Sequence, residues 1–259
     1  MNFGVQTFTV RKKQKKSIRE AYLPLIKLGI KSFEVARIDF NRKNAEELKR
    51  LIDEFGIEIS SIQVKPKHVF GHADEIIEFC GITGCKRVVI SMLPFKCILG
   101  GDDKFYSFAS TLDGYYDSYS QSGITLAYHH HNWEYVKLSS GESRMEYLLK
   151  NTERIKFVHD TYWTAKCGIS PARQIEDFGE RLLGIHLRDL TLVKKGIKVD
   201  SRDAAIGDGV IDFAEVLTAA ERVGCSYYVI EQKTKQPYRD VAKSFMALEK
   251  IKSLINEKE

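Results

Sequence analysis

Residues 156–160 read Lys156-Phe157-Val158-His159-Asp160, and residues 227–231 read Tyr227-Tyr228-Val229-Ile230-Glu231. Each is a β-branched and aromatic run too short for a helix, and each closes on a carboxylate. Continuous apolarity without alternation marks a strand of a parallel sheet, whose two faces are both covered. The same figure recurs at Phe3–Phe8, Ser32–Ala36, Glu58–Val64, Arg87–Ser91, Thr125–His130 and Leu183–Leu187. Between these runs lie helix-period stretches around Ser17–Leu28, Asn44–Phe55, Ala73–Ile82, Asp103–Ser122, Arg144–Lys150, Pro171–Phe178, Asp212–Val223 and Val241–Ile255. Gly29, Gly56, Gly84, Gly123 and Gly224 fall just past helices, where a left-handed residue costs glycine little. Eight strand–helix units in 259 residues predict one (β/α)₈ barrel, an α/β fold with a single domain over 1–259. A doubly wound sheet would instead call for a glycine-rich phosphate turn, and neither GxGxxG nor GxxxxGK[ST] occurs.

Composition limits the function classes. Hydrophobic residues at 43%, charged residues at 29% and only 5 prolines describe a globular chain and exclude collagen-like or disordered architectures. No apolar stretch reaches the roughly 18 residues of a membrane span. The N-terminal basic run Arg11–Lys16 follows the apolar segment, the reverse of a secretory signal. Five scattered cysteines without a CxxC pair argue against a disulfide framework or structural zinc and fit a reducing cytoplasm. A net charge of +5 with one dense basic cluster reads as a solvated helix face rather than a nucleic-acid stripe. The expectation is a cytoplasmic protein with a small-molecule partner, no nucleic acid and no membrane, compatible with a homo-oligomer.

In a parallel barrel the chemistry sits at the C-terminal strand ends, which here carry Gln6, Glu34, Lys65, His129 to Glu134, Asp160, His186 with Arg188, and Glu231. A carboxylate or imidazole closing an apolar strand is costly unless something pairs with it. Singly, Asp160 could cap the following turn, His186 could be a hydrogen-bonded core residue, and Glu231 could pair with Arg188 or Lys233. Together, at the ends of strands six, seven and eight, they make a mixed nitrogen and oxygen set suited to Mn, Co, Fe or Zn. Strand five adds Tyr128-His129-His130-His131-Asn132-Trp133-Glu134, with three of the seven histidines adjacent. Alternation directs His129 and His131 inward and Tyr128 and His130 toward the helices, while Glu134 lies far enough on to fold back over the mouth. His159, preceding inward Asp160, is expected outward and structural.

The segments GVQTFTVR, AYHHHNWE, VHDTYWTAKCGISP, GIHLRD, IGDGVIDF and VIEQ together resemble the successive motifs of the sugar phosphate isomerase/epimerase family, the xylose isomerase-like TIM barrels. The resemblance runs from Gln6 to Glu231. It implies an enzyme dependent on a divalent metal (Mn, Co, Zn, Fe or Mg) that isomerises or epimerises a sugar, keto-sugar or inosose through an enediolate. The implied ligands are Asp160, His186 and Glu231, completed in family members by a glutamate from strand five. Here His129 occupies that strand position and Glu134 follows, so the fourth ligand lies among Glu134, His129 and His131, with Glu134 ranked first as a further carboxylate. Glu231 and Glu134 are the expected acid/base pair, with His129 and His131 as proton donors to oxygen. Gln6, Glu34, Lys65, Trp163 and Arg188 are expected to contact substrate, and Trp133 and Phe95 are further candidate walls.

Three other readings stand beside this one: a dehydratase or lyase of a keto-inositol or keto-glycoside on the same metal, a non-catalytic sugar-binding barrel, and an abasic-site endonuclease. The endonuclease pattern needs histidines where this chain has Trp163 and Asp203-Ala204-Ala205. An unphosphorylated substrate is expected, because no arginine pair or glycine-rich loop follows strands seven and eight. The loops 64–71, 92–102 and 189–208 are long enough to form a lid.

Overall fold

A computed structural model describes residues 1–195 and 198–257 of the chain. Ten strands are present: β1 (Phe3–Gln6), β2 (Ser32–Ala36), β3 (Glu58–Val64), β4 (Arg87–Ile90), β5 (Thr125–His129), β6 (Lys156–Asp160), β7 (Leu182–Leu187), β8 (Asp189–Lys195), β9 (Lys198–Ala204) and β10 (Tyr227–Ile230). Eight of them close a parallel barrel in the order β1-β10-β7-β6-β5-β4-β3-β2, so the (β/α)₈ expectation holds. Every barrel strand lies within two residues of its sequence-based bounds, because strands buried on both faces leave an unbroken apolar signature. The connecting helices carry their own start signals: Ser17, Asn41, Ser143, Ser170 and Asp212 accept backbone N–H bonds at N-termini. The five glycines singled out at helix ends all take positive φ.

Four stretches differ from expectation, and in two of them the expected loops 64–71 and 92–102 hold the short helices Pro66–Gly71 and Phe95–Leu99. The helix expected over Asp103–Ser122 is split into Asp102–Ala109 and Leu112–Ser120. At the break the Ser110 and Thr111 hydroxyls donate to the carbonyls of Ser107 and Phe108, offering the backbone a local alternative to the helical ladder. The long connection after β7 is ordered as the antiparallel hairpin β8–β9, with Asp189 paired opposite Ala204. Its base is tied by the buried Asp189 carboxylate, which accepts N–H bonds from Leu190, Gly207, Gly209 and Ile211. No helix among the described residues is long and apolar enough to cross a membrane.

The barrel interior is small. Val89, Ala127, Val158, Leu183, Tyr227 and Val229 form a separate cluster inside it, while the larger core fills the space between strands and helices. Tyr227 fits only because β7 has a glycine beside it: a Cβ on Gly184 would lie 2.3 Å from the Tyr227 ring. That ring carries its hydroxyl to Glu34 Oε2 at 2.8 Å. Gly184→Ala should therefore overpack the interior and lower stability by about 1–3 kcal/mol. Equilibrium denaturation should show a reduced midpoint with an unchanged slope, and an unaltered midpoint would mean that the ring has room to move.

Candidate functional site

Parallel register assembles the site. On β6 and β7, Asp160 pairs with His186; on β5 and β6, His129 pairs with Val158, two residues before Asp160; on β7 and β10, His186 pairs with Val229, two residues before Glu231. Alternation turns all four side chains inward at one level. One ligand-type atom each from His129, Asp160, His186 and Glu231 lies within 4.8 Å of the others, and all four residues are buried.

Asp160 divides its carboxylate. Oδ1 accepts the Trp163 backbone N–H at 3.1 Å, capping the helix Thr161–Lys166. Oδ2 faces the cluster, 4.0 Å from both His129 Nε2 and His186 Nδ1. His186 Nε2 meets Glu34 Oε1 at 2.6 Å, a contact that directs its other nitrogen, Nδ1, toward Asp160 and Glu231. Nδ1 is buried and forms a 2.8 Å ion pair with Glu231 Oε2, off the alignment of a hydrogen bond. A carboxylate on one imidazole nitrogen, fixing the ring so that the other points into a cluster of ligand-type groups, is the usual outer support of a metal-binding histidine. Arg188 enters from β7: Nη1 is 3.0 Å from Asp160 Oδ2 and 3.7 Å from Glu231 Oε1, while Nη2 reaches Asp203 Oδ1 on β9 at 2.9 Å.

Charge in this enclosure is strongly coupled. Burial would push the His186 imidazole down, but Glu34 and Glu231 outweigh it and raise its pKa to about 10. Burial pulls Glu231 up, and the Arg188 and His186 cations overcome that to hold it near 2. Asp160 is raised to about 6 by burial with help from Glu231, against the opposing pull of Arg188. Burial keeps His129 well below its ordinary value and brings His131 to about 4, so both imidazoles are neutral at pH 7. The donor set is two imidazole nitrogens and two carboxylates, one nitrogen lacking any hydrogen-bond partner. It fits a first-row divalent cation.

The cluster opens to a cleft of about 2380 Å³, lined by His129, His131, Trp163, Arg188 and Glu231 among others. Lys65 also lines it, as does Phe95, whereas Gln6 is buried beside it and donates to Gln63 at 2.9 Å. Glu34 does not reach the cleft. It is fully buried and bonded by Ser61, Tyr227 and His186, so it supports the site instead of touching substrate. Glu134 is likewise absent from the cluster: the turn Asn132–Tyr135 directs its carboxylate back to the Tyr128 hydroxyl and to the His131 N–H at 2.7 Å. His129, from the strand itself, stands where the sequence ranking placed Glu134. Behind β5 and β6, His130 Nε2 takes the Asp160 N–H and faces His159 Nδ1, both at 3.1 Å, as alternation required. Trp133 packs on His131 with ring centroids 5.2 Å apart. Ser61 and Tyr227 had no signal of their own; both are read only through Glu34.

A profile described as xylose isomerase-like TIM barrel matches residues 25–251. A search of curated proteins finds no match. Similar solved structures include a sugar phosphate isomerase/epimerase from Parabacteroides distasonis (18% identity, 95% of this chain and 93% of that one, TM-score 0.78). A D-tagatose 3-epimerase-like protein shows 19% identity over 100% of this chain and 99% of its own, with a TM-score of 0.74. The IolI protein with a bound zinc atom shows 15% identity over 97% and 98%, with a TM-score of 0.68. At such identities the likeness is one of fold.

Burial raises the Glu134 carboxyl from 4.5 to about 7, against the lowering effect of its Tyr128 and backbone donors. A folded-state pKa above the unfolded one means the native state holds its proton longer. The contribution is thus full below about pH 4.5 and lost as pH rises through 7. In Glu134→Gln that loss, up to roughly 3 kcal/mol, should vanish from the stability difference between pH 5 and 8. Parallel wild-type and variant profiles would show that Glu134 is already ionised in the fold.

Proposed function

The chain belongs to the xylose isomerase-like TIM barrel family, and from that premise we propose a divalent-metal enzyme that isomerises or epimerises a sugar or sugar-like ketose. The observation that carries this reading is the convergence of His129, Asp160, His186 and Glu231, with His186 Nδ1 buried and turned onto the Asp160 and Glu231 carboxylates. These four residues would hold the ion; the zinc bound by the IolI protein, a structural neighbour, supports treating such a cluster as a metal site. A bound divalent ion would supply positive charge opposite the oxygens of a developing enediolate.

The chain's own groups divide the remaining work. Of the four clustered residues, His129 and Glu231 line the cleft, so they face substrate as well as the ion. Glu231 is the carboxylate placed to take a proton from carbon. His131 lines the cleft as a neutral imidazole, which suits it to carry a proton at a substrate oxygen. Arg188, held between the Tyr162 and Trp163 rings at 4.7 and 5.4 Å, fixes Asp160 and Glu231 and closes one side of the floor. Glu34 fixes the His186 ring. Return of the proton to the neighbouring carbon gives isomerisation, and return to the opposite face gives epimerisation.

A second reading is favoured by one contact, Arg188 Nη1 at 3.0 Å from the same Asp160 oxygen that faces the cluster. In it the guanidinium and the His186 cation themselves supply the positive charge. Metal analysis separates the two. On the metal reading, purified protein loaded with Mn²⁺, Co²⁺ or Zn²⁺ and dialysed should retain about one ion per chain. Asp160→Ala and His186→Ala should lose it, whereas Glu134→Gln should keep it. Ion retained in both alanine variants would remove the assignment, and none retained by wild type would favour the arginine reading.

Proton transfer is tested by exchange of an α-proton of a ketose into deuterated water. Glu231→Gln keeps the volume and one oxygen but cannot accept a proton, so exchange should fall far more than tenfold, a barrier change above about 1.4 kcal/mol. Exchange within tenfold of wild type would move the role to His129 or His131.

A further inference from the structure

The cleft is far more basic than the chain as a whole. Thirteen lysines and arginines line it against four aspartates and glutamates, whereas the full sequence holds 40 against 35. Two of these cations are placed differently from surface lysines. Arg11 follows the short 3₁₀ turn Thr7–Val10 after β1, and Arg37 is the first residue beyond β2. Because β1 and β2 are neighbours in the barrel, their ends bring the two guanidiniums to one ring: the Arg11 and Arg37 Cζ atoms lie 3.8 and 5.3 Å from the centroid of Phe8, which also lines the cleft.

Both are built in. Arg11 is half-buried, and its Nη1 donates to the Phe8 carbonyl at 2.8 Å. Arg37 has φ 63°, the one non-glycine residue with positive φ among the described residues. For a residue with a Cβ and a long side chain this is a sparsely populated conformation, and such strain persists where the surroundings enforce it. They do: the preceding residue, Ala36, is gripped at its N–H and carbonyl by the Thr7 hydroxyl, at 2.9 and 3.1 Å, and at the carbonyl by Gln14 Nε2 at 2.7 Å. Among the described residues neither guanidinium has a carboxylate within 4.0 Å, so two like charges face one space without a partner. Arg11 and Arg37 line the same cleft as Glu231 and Asp203, and burial and then Arg37 lower the Arg11 pKa while Glu231 and Asp203 raise it.

Resting on the isomerase reading, we propose that Arg11 and Arg37 clamp an anionic group, a phosphate monoester or a carboxylate, on the end of the sugar remote from the reacting carbons. The sequence expectation of an unphosphorylated substrate looked for an arginine pair after strands seven and eight; the pair stands after strands one and two. Guanidiniums recognise such oxyanions in paired, planar contacts, unlike the diffuse attraction of surface lysines. A nucleic acid would use a stripe of phosphate contacts, whereas these two cations converge on a single ring.

Calorimetry with D-ribulose, D-ribulose 5-phosphate and D-fructuronate reads the clamp without turnover. The phosphate or the carboxylate ligand should bind at least about tenfold tighter than the neutral ketose. Arg11→Gln and Arg37→Asn should each shrink that gap and leave D-ribulose binding unchanged. Asn tolerates the left-handed backbone, so Arg37→Asn should melt no lower than wild type. Equal binding of neutral and charged ligands, or a gap intact in both variants, would overturn the proposal. So would a short DNA oligonucleotide that binds tighter than every sugar ligand and is lost in the same variants. Anion preference without α-proton exchange on any ligand would support the clamp and sink the isomerase reading. Exchange of D-ribulose without anion preference would do the reverse.

Discussion

A carboxylate sealed inside a barrel must be fully bonded or the fold suffers for it, and Glu34 is that carboxylate here. It lies on β2 and takes hydrogen bonds from Ser61 on β3 and Tyr227 on β10, together with the close contact to His186 on β7. Four of the eight barrel strands therefore meet on one side chain. Buried ionic groups bring little net stability, because desolvation offsets their attraction, but breaking one leaves an uncompensated charge. What the arrangement supplies is direction. With Nε2 held at Glu34, the His186 ring presents Nδ1 to Asp160 and Glu231, and the geometry of the site is inherited from a contact that substrate never reaches.

The strands were legible because a parallel barrel leaves a local record: each run is short and apolar enough to be buried on both faces, with polar residues at or just beside its C-terminal end. Asp160, His186 and Glu231 were legible for the same reason, since strand ends converge by construction. The choice between His129 and Glu134 was not local. It depended on the turn Asn132–Tyr135, in which the Tyr128 hydroxyl and the His131 N–H draw Glu134 behind the strand. Glu34 was picked out as a strand-end residue and given the wrong surroundings, because its partner His186 is 152 residues away and the pairing follows from closure of the barrel. The Arg11 and Arg37 pair was hidden for a related reason: one lies five residues past the end of β1, beyond a 3₁₀ turn, and the other follows β2 with a positive φ, which no side-chain pattern announces.

Interior and loops carry different parts of the work. The inner cluster from Val89 to Val229, with Gly184 making room for Tyr227, is rigid in the way close-packed cores are, and it sets the level at which ligand atoms sit. The rim is built from short turns, the β8–β9 hairpin and the helices after β3, β4 and β6, which the barrel tolerates in many lengths. The reacting centre would then be held by strands, and the identity of the sugar would be chosen by turns.

Arg188 and Asp189 join these two parts. They are consecutive, yet one points into the mouth and the other into the loop base. Asp189 collects four backbone N–H groups from residues 190–211 and fixes where the hairpin is rooted. Arg188 spans from Asp160 and Glu231 on the floor to Asp203 on the hairpin, and Asp203 in turn accepts the Lys233 N–H. The guanidinium thus shares its charge between the Asp160 and Glu231 carboxylates and the hairpin. A cation arriving at Asp160 would compete with it for the same oxygen, and any weakening of that contact shifts the balance toward Asp203. Charge on the floor and the hold on the hairpin are set by a single side chain, so neither can change without acting on the other.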